Sequence, residues 1–291
     1  MKEYFQKIID DKINSKFFYD NEEILTSSSK FQNEIKTSKE AWEKIYNFNL
    51  KELKKDREDF DNNKLKDHIR YIEKYYKFTK DTIYLEIGCG PSYIGEYIMQ
   101  KYNSYFIGVD FNYQMLLILK RYFDEKGYEK YFLIHSDINK MPIKDNSVDF
   151  IYGGGVIEHF SDTNHILTES YRILKPNGVS FNTVPAFNLW WILRFYNNIP
   201  SLPILKSLFE FIHSKIFKNK ILKKYYGYEL SYTKPQLINL HKKNGFRNIS
   251  VEPFAFHPSI NKLKNKFLRS LYFKIQKNYL TAAVYLVCGK K

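Results

Sequence analysis

Residues 83–98 read IYLEIGCGPSYIGEYI, and the fold hangs on them. Ile83 to Ile87 is a short, largely apolar run that meets a turn signal, the pattern of a buried strand. Gly88 and Gly90 follow, two apart, and Tyr93 to Ile98 resumes at helical spacing. A strand that ends in Gly-x-Gly before a helix leaves backbone N–H groups free to meet a ligand. It also removes the side chains that would block the approach. A dinucleotide fingerprint would place a third glycine three residues after Gly90, where this chain has Tyr93, with the next glycine at Gly95. Glu86 stands two residues before Gly88, where its carboxylate would repel a pyrophosphate and attract a cationic centre. About twenty residues further on, Asp110 closes the next strand, where a carboxylate can accept from both ribose hydroxyls. These residues point to a ligand with a ribose and a positive group but no pyrophosphate.

Working outward, short apolar strands alternate with helices. YFIGVDFN (105–112) predicts a second strand and YQMLLILKRYFDEKG (113–127) its helix. YFLIHSDI (131–138) and VDFIYGGGV (148–156) predict the third and fourth strands. TNHILTESYRIL (163–174) is a helix and GVSFNTVP (178–185) the fifth strand. Such alternation implies parallel crossovers and a three-layer α/β sandwich. Residues 186–230 break the rhythm as a helical insertion. SYTKPQLINLHKKNGF (231–246) then predicts a helix with a Ser231/Thr233 start and a Gly245 stop. RNISVEPFAF (247–256) and YLTAAVYLVCGK (279–290) supply the last two strands. Upstream, residues 1–80 are polar and rich in Lys and Glu. Trp42, Ile45, Phe48 and Leu53, then Leu65, Ile69, Ile72 and Tyr76, recur at roughly helical spacing. They predict an N-terminal helical extension that ends by packing on the sheet. The expected domains are therefore 1–80 and 81–291, with 186–230 covering the acceptor site.

Of the 291 residues, 44% are hydrophobic, enough for a sizeable core, and the net charge is +14. That balance suits an anionic partner, and it equally suits a chain-wide bias toward Lys, Asn, Ile, Tyr and Phe. Cys89 and Cys288 are the two cysteines. They predict neither a disulfide framework nor a metal site, and fit a reducing compartment. Residues 1–18 lack the apolar core of a secretory signal, and no run of about 18 apolar residues occurs. A cytoplasmic location is expected.

Several of these stretches resemble motifs of the class I S-adenosylmethionine-dependent methyltransferases. LEIGCGPS (85–92) resembles the family's first motif, with Ser92 where a third glycine usually stands. GVDFN (108–112) resembles the acidic motif that follows. HSDINKMPIKDNSVDFIY (135–152), VIEHF (156–160) and RILKPNGVSFNTVP (172–185) resemble the later segments in order. The resemblance covers roughly 65–185 and resumes at 231–291. It implies a Rossmann-like seven-stranded, mostly parallel sheet with an antiparallel last strand and helices on both faces. It also implies a site. Glu86 would order the amino-acid end of S-adenosylmethionine, with the backbone of Gly88 and Gly90 against it. Asp110 would bind ribose, and Phe111 or Met115 would pack on adenine. Asp137 would accept from the adenine amino group, with the Ile138 backbone beside it. Gly153 and Gly154 would let backbone approach the methionine part. Each has a plainer alternative: Asp110 as a helix cap near Asn112, Asp137 as a turn residue, Gly153–Gly155 as a loop start.

Removing a proton from the acceptor needs a base. His159, after the fourth strand at the carboxyl edge of the sheet, suits that role, or else orders its loop together with Glu158. His135 and His165 read as structural. The absence of an Asn-Pro-Pro-Tyr-type motif speaks against nucleic acid bases as acceptors. The expected acceptor is a small molecule, sugar or lipid-linked compound, methylated at oxygen or carbon, with S-adenosylhomocysteine as the product. A non-catalytic partner of a biosynthetic complex and an NAD-dependent oxidoreductase are the rival classes.

Residues 186–230 carry seven Lys/Arg and two Glu, a net of +5 (7 − 2). In PILKSLFEFIHSKIF (203–217) Ile204, Leu205, Leu208, Phe209, Ile212, Ile216 and Phe217 share a helical face. In NKLKNKFLRSLYFKIQKN (261–278) Leu263, Phe267, Leu271 and Ile275 do so. Such helices either fold back over the sheet or touch a membrane through 187–224 and 261–279, at the inner face of the bilayer.

Overall fold

The computed structural model describes residues 2–10, 17–19, 24–27, 49–59, 62–160, 162–189, 199–200, 208, 211–216, 230–255 and 266–291. Helix α1 (Lys2–Gln6) and strands β1 (Phe17–Tyr19) and β2 (Leu25–Ser27) open the chain, followed by α2 (Leu50–Asp59) and α3 (Asn62–Tyr75). The alternating core comprises β3 (Ile83–Ile87), α4 (Tyr93–Tyr102), β4 (Tyr105–Asp110), α5 (Tyr113–Glu125), β5 (Tyr131–His135), β6 (Val148–Gly154), α6 (Thr163–Ile173) and β7 (Leu174–Pro185). Two short strands, β8 (Ile199–Pro200) and β9 (Leu230–Ser231), pair with each other in parallel. Helix α7 (Lys234–Lys243), β10 (Arg247–Phe254), α8 (Lys266–Gln276) and β11 (Val284–Lys290) complete the chain.

Among the described residues the main sheet has nine strands, in the order β1-β2-β5-β4-β3-β6-β7-β11-β10. From β5 through β7 every neighbour is parallel, and β11 runs antiparallel between β7 and β10. The seven strands expected from the alternating pattern are thus present. The sheet is extended past β5 by a hairpin, with β2 parallel to β5 and β1 antiparallel to β2. The segment before residue 80 therefore contributes strands as well as helices. Its residues are too few and too polar in their surroundings to signal a strand, and pairing with the β5 edge decides their conformation. Trp42, Ile45 and Phe48 lie outside the described residues, whereas Leu53, Ile69 and Ile72 are buried as their spacing predicts.

Period-2 alternation divides the core between the sheet's two faces. Leu85, Ile107, Ile134 and Ile151 point to one side, where Ile166 and Leu167 of α6 and Leu237 of α7 meet them. Tyr84, Phe106, Phe150 and Phe181 point to the other, against α2 to α5. There Phe106, Tyr84, Phe150 and Phe181 form a ladder across β4, β3, β6 and β7, with centroid spacings of 6.0, 5.8 and 6.1 Å. Helix α7 begins as its sequence predicts, with Thr233 and Gln236 capping each other's backbone, and Gly245 follows its end at φ 88°.

The apolar stripe of α8 does not fold onto the sheet: Phe267 is 73% exposed, Leu268 47% and Leu271 43%. Most of 186–230 lies outside the described residues. Within it, Leu208, Phe211 and Ile216 are exposed. No helix among the described residues is long and apolar enough to cross a membrane.

Candidate functional site

All five parallel strands of the core deliver their carboxyl ends to one edge, and the connections leaving that edge build the site. The turn after β3 is shaped by its own backbone. Gly88, Gly90 and Ser92 all take left-handed conformations, with φ of 59°, 45° and 49°. A Cβ on Gly88 would lie 2.9 Å from Cγ2 of Val156 across the site, so glycine there meets both the angle and the space.

Two buried carboxylates brace this turn. Asp110, at the end of β4, accepts from the Gly90 N–H at 2.8 Å with Oδ2 and from the Asn112 N–H at 2.8 Å with Oδ1. Asn112 then caps α5 by accepting from the Met115 N–H. The helix-cap alternative for Asp110 is therefore filled by its neighbour, which Asp110 holds in place. Burial pushes the Asp110 carboxyl above its ordinary pKa, against the pull of those N–H donors. Glu86 accepts from the Ser92 hydroxyl at 2.7 Å. Burial pushes its carboxyl up to about 8, opposed by Ser92, the Gly95 N–H and Arg57.

A cleft of about 840 Å³, counting its open mouth, lies at this edge. Of the residues singled out in the sequence, Gly88, Asp110, Phe111, Met115, Asp137, Ile138, Gly154 and His159 line it together. Glu86, Gly90 and Gly153 do not. Glu86 is turned into the start of α4, the Gly90 N–H is committed to Asp110, and Gly153 is packed where a Cβ would lie 2.3 Å from Oδ1 of Asn182. Gly154 is on the wall, with the Tyr152 hydroxyl directly beneath it. Asp137 accepts from the Asn139 backbone N–H and side-chain amide through Oδ1, at 2.9 and 2.8 Å. His159 ends a single 3-10 turn, Ile157–His159, that tips it toward the cleft. His135 instead donates through Nε2 to the Phe111 carbonyl at 3.1 Å, so it supports the wall from behind, and His165 is exposed on α6.

The cleft also includes Asn112, Ser136, Gly155, Val156 and Phe160, which the sequence reading did not single out. Four of them sit next to a residue that it did single out, so proximity in the chain was the available signal. No cluster of His, Cys, Asp and Glu that could hold a metal ion occurs among the described residues.

Comparison with known proteins bears on the fold. The family model described as "Methyltransferase domain" matches residues 85–181. The demethylmenaquinone methyltransferase of Bacillus cereus (strain AH187) is 26% identical over 159 residues, 52% of this chain and 62% of that protein. The chain thus spans less than two thirds of the length of this curated relative. Phosphoethanolamine N-methyltransferase 2 of Haemonchus contortus, solved with phosphomonomethylethanolamine and S-adenosylhomocysteine, superposes with a TM-score of 0.54 at 18% identity, over 77% of this chain and 52% of that one. An S-adenosylmethionine-dependent methyltransferase of Mesorhizobium loti gives 0.53 at 14% identity, over 77% and 98%. At these identities the two structures speak for the fold. Taken with the methyltransferase-domain match over residues 85–181, they show that the chain has the fold of S-adenosylmethionine-dependent methyltransferases.

Proposed function

We propose that this protein transfers a methyl group from S-adenosylmethionine to a small-molecule, sugar or lipid-linked acceptor, at oxygen or carbon. The observation that carries this reading is the single cleft in which Gly88, Asp110, Met115, Asp137 and His159 meet. The residues fit the cofactor: Gly88 leaves space that a Cβ would fill, and Asp110 brings a buried carboxylate to the wall. Asp110 would hold the ribose, Met115 and Phe111 the adenine, and Asp137 with the Ile138 backbone the adenine edge. Gly88 and Gly154 would leave the methionine part free to approach the backbone. Glu86 acts one step back, by fixing Ser92 and the start of α4.

When bound, S-adenosylmethionine supplies a methyl group on a sulfonium, and its transfer leaves S-adenosylhomocysteine. The chain contributes orientation and a dry wall. His159 would take the proton that the acceptor gives up. Val156 and Phe160 line the cleft beside it and add apolar surface there.

The acceptor reading leans toward lipid-linked compounds, with peripheral contact at a membrane through 187–224 and 261–279. Pro253 to Lys291 contains eight Lys/Arg and no Asp or Glu. Within that stretch α8 presents Phe267, Leu268, Leu271 and Ile275 to solvent. Ala283, a few residues after α8, bonds to Ala186 just past β7, so α8 ends at the same sheet edge as the cleft. An apolar stripe among cations suits an anionic bilayer surface.

Calorimetric titration with S-adenosylhomocysteine, with NAD as the parallel control, tests the cofactor. Micromolar binding of the first and none of the second is expected, and the reverse removes the reading. Co-flotation with phosphatidylglycerol vesicles at low salt tests the membrane contact. Equal recovery with neutral phosphatidylcholine vesicles, or no recovery at all, would remove it.

A further inference from the structure

We propose that Arg57, on a helix of the N-terminal extension, is a positioning residue that holds the glycine turn in the shape the cofactor meets. The functional part of this assignment rests on the cofactor reading above.

The observations begin with α2. Asn49 and Glu52 cap its start reciprocally: the Asn49 N–H donates to Oε2 of Glu52 at 2.8 Å and the Glu52 N–H to Oδ1 of Asn49 at 2.9 Å. Leu53, one residue on, is fully buried, which anchors the helix to the core. Arg57 follows four residues later, hence on the same helical face. Its side chain is 8% exposed, although it belongs to a helix dominated by solvent-facing Lys and Glu.

The buried guanidinium has specific partners. One arm donates to the Pro91 carbonyl, inside the glycine turn. The other pairs with Glu96, in the first turn of α4. Its face lies 4.9 Å from the Tyr93 ring centroid and 4.3 Å from that of Tyr122. Glu96 also accepts from the Tyr122 and Tyr128 hydroxyls at 3.0 and 2.9 Å. Arg57 thus ties the turn, the helix that follows it and α5 to one planar cation.

The turn needs such holding. Three of its five residues, 88 to 92, are left-handed, and Ser92 is not a glycine. A non-glycine residue persists there when its surroundings over-determine it. Asp110 fixes the Gly90 N–H and Glu86 fixes the Ser92 hydroxyl. Pro91, between them, has no N–H to offer, so its carbonyl is its backbone hydrogen-bonding group. Arg57 takes that carbonyl. A lysine could reach Pro91 or Glu96 but lacks the rigid fork that serves both.

The experiment uses the full chain with Arg57→Met, Arg57→Lys and Leu53→Ala. Two readouts are taken: affinity for S-adenosylhomocysteine by calorimetry, and amide hydrogen exchange of residues 88–96 in ligand-free protein. Arg57→Met is expected to weaken binding about tenfold or more and to speed exchange in the turn about tenfold, while β3 and β4 keep their protection. Arg57→Lys is expected to fall between it and the wild type. Wild-type affinity and turn exchange in folded Arg57→Met overturn the proposal. If Arg57→Met does not fold, wild-type values in Arg57→Lys overturn it. A Leu53→Ala variant that loosens the turn equally also overturns it, since loosening the helix would then suffice. If the wild type itself binds no S-adenosylhomocysteine, the cofactor reading falls separately. The exchange readout then decides Arg57 alone: unchanged turn exchange overturns its holding role, and faster exchange supports it.

Discussion

Replacing Asp110 by Asn should separate ligand binding from stability. The carboxylate accepts from the Gly90 and Asn112 N–H groups and also lines the cleft, where its remaining acceptor capacity would meet the ribose. Asn keeps the shape but turns one acceptor oxygen into a donor. Asn also takes the charge from the acceptor that would meet the ribose, and a hydrogen bond to a charged group contributes about 1.5–3 kcal/mol. That converts to an affinity loss of about 10- to 150-fold for S-adenosylhomocysteine. Stability should respond less. Burial raises the Asp110 pKa, so ionising it opposes folding, and the amide removes that cost while losing part of the turn's bracing. The expected outcome is a melting temperature within a few degrees of the wild type, about the shift that 1 kcal/mol gives in a chain of this size. Calorimetry and thermal melting on the same preparations read the two effects. Binding within twofold of the wild type by a folded Asp110→Asn protein would refute the ribose role.

Three further outcomes are expected. Gly95→Ala should destabilise, although Ala usually gains roughly 0.5–1 kcal/mol over Gly in a helix. Its methyl group would lie 2.4 Å from Phe106 Cε2 and from Ser92 Oγ, so urea titration should show a loss of about 1–3 kcal/mol, and a more stable variant contradicts the packing. Glu86 makes stability depend on pH. Its carboxyl is raised from 4.5 to about 8 by burial, so between those values the unfolded chain has released a proton that the folded chain keeps. This contribution is complete below pH 4.5 and is lost as pH rises toward 8. Glu86→Gln should flatten the melting profile across that window, and parallel profiles for the two proteins count against it. His159→Gln should leave S-adenosylhomocysteine affinity within about threefold while slowing methyl transfer about 10²- to 10⁴-fold once an acceptor is found. Unchanged turnover assigns His159 to loop order instead.

The parts of this molecule legible in the sequence are those whose signal is local. Apolar runs of strand length, the two glycines after Glu86 and the Thr233–Gly245 helix punctuation each declare themselves within a few residues. The cleft residues drawn from the ordered motifs mostly meet in space, because successive strands deliver their ends to one edge. What stayed hidden depends on contacts between distant segments. The hairpin of β1 and β2 pairs with β5 more than a hundred residues away, through Leu25 with Ile134 and Thr26 with His135. Arg57 carries no mark among the charged residues of α2, and only its arrival at Pro91 gives it meaning. Glu86 shows a subtler gap. Strand alternation gives its face, but its rotation away from the cleft follows from the Ser92 hydroxyl and the start of α4.

Among the described residues the two ends of the main sheet are finished in different ways, and this bears on whether copies of the chain stack edge to edge. On the β10 side the outermost strand carries Pro253, which has no N–H to offer a neighbour, and its register shifts between Arg247 and Ser250, with Asn248 left-handed at φ 47°. Such irregularity is a poor template for another strand. On the other side β5 would present a regular apolar edge, but β2 occupies part of it and hands the boundary to β1, three residues long. The hairpin thus acts as an edge guard. It trades a growth-competent border for one too short to recruit a further strand, so a chain lacking residues 1–27 should self-associate through β5 at concentrations where the intact protein does not.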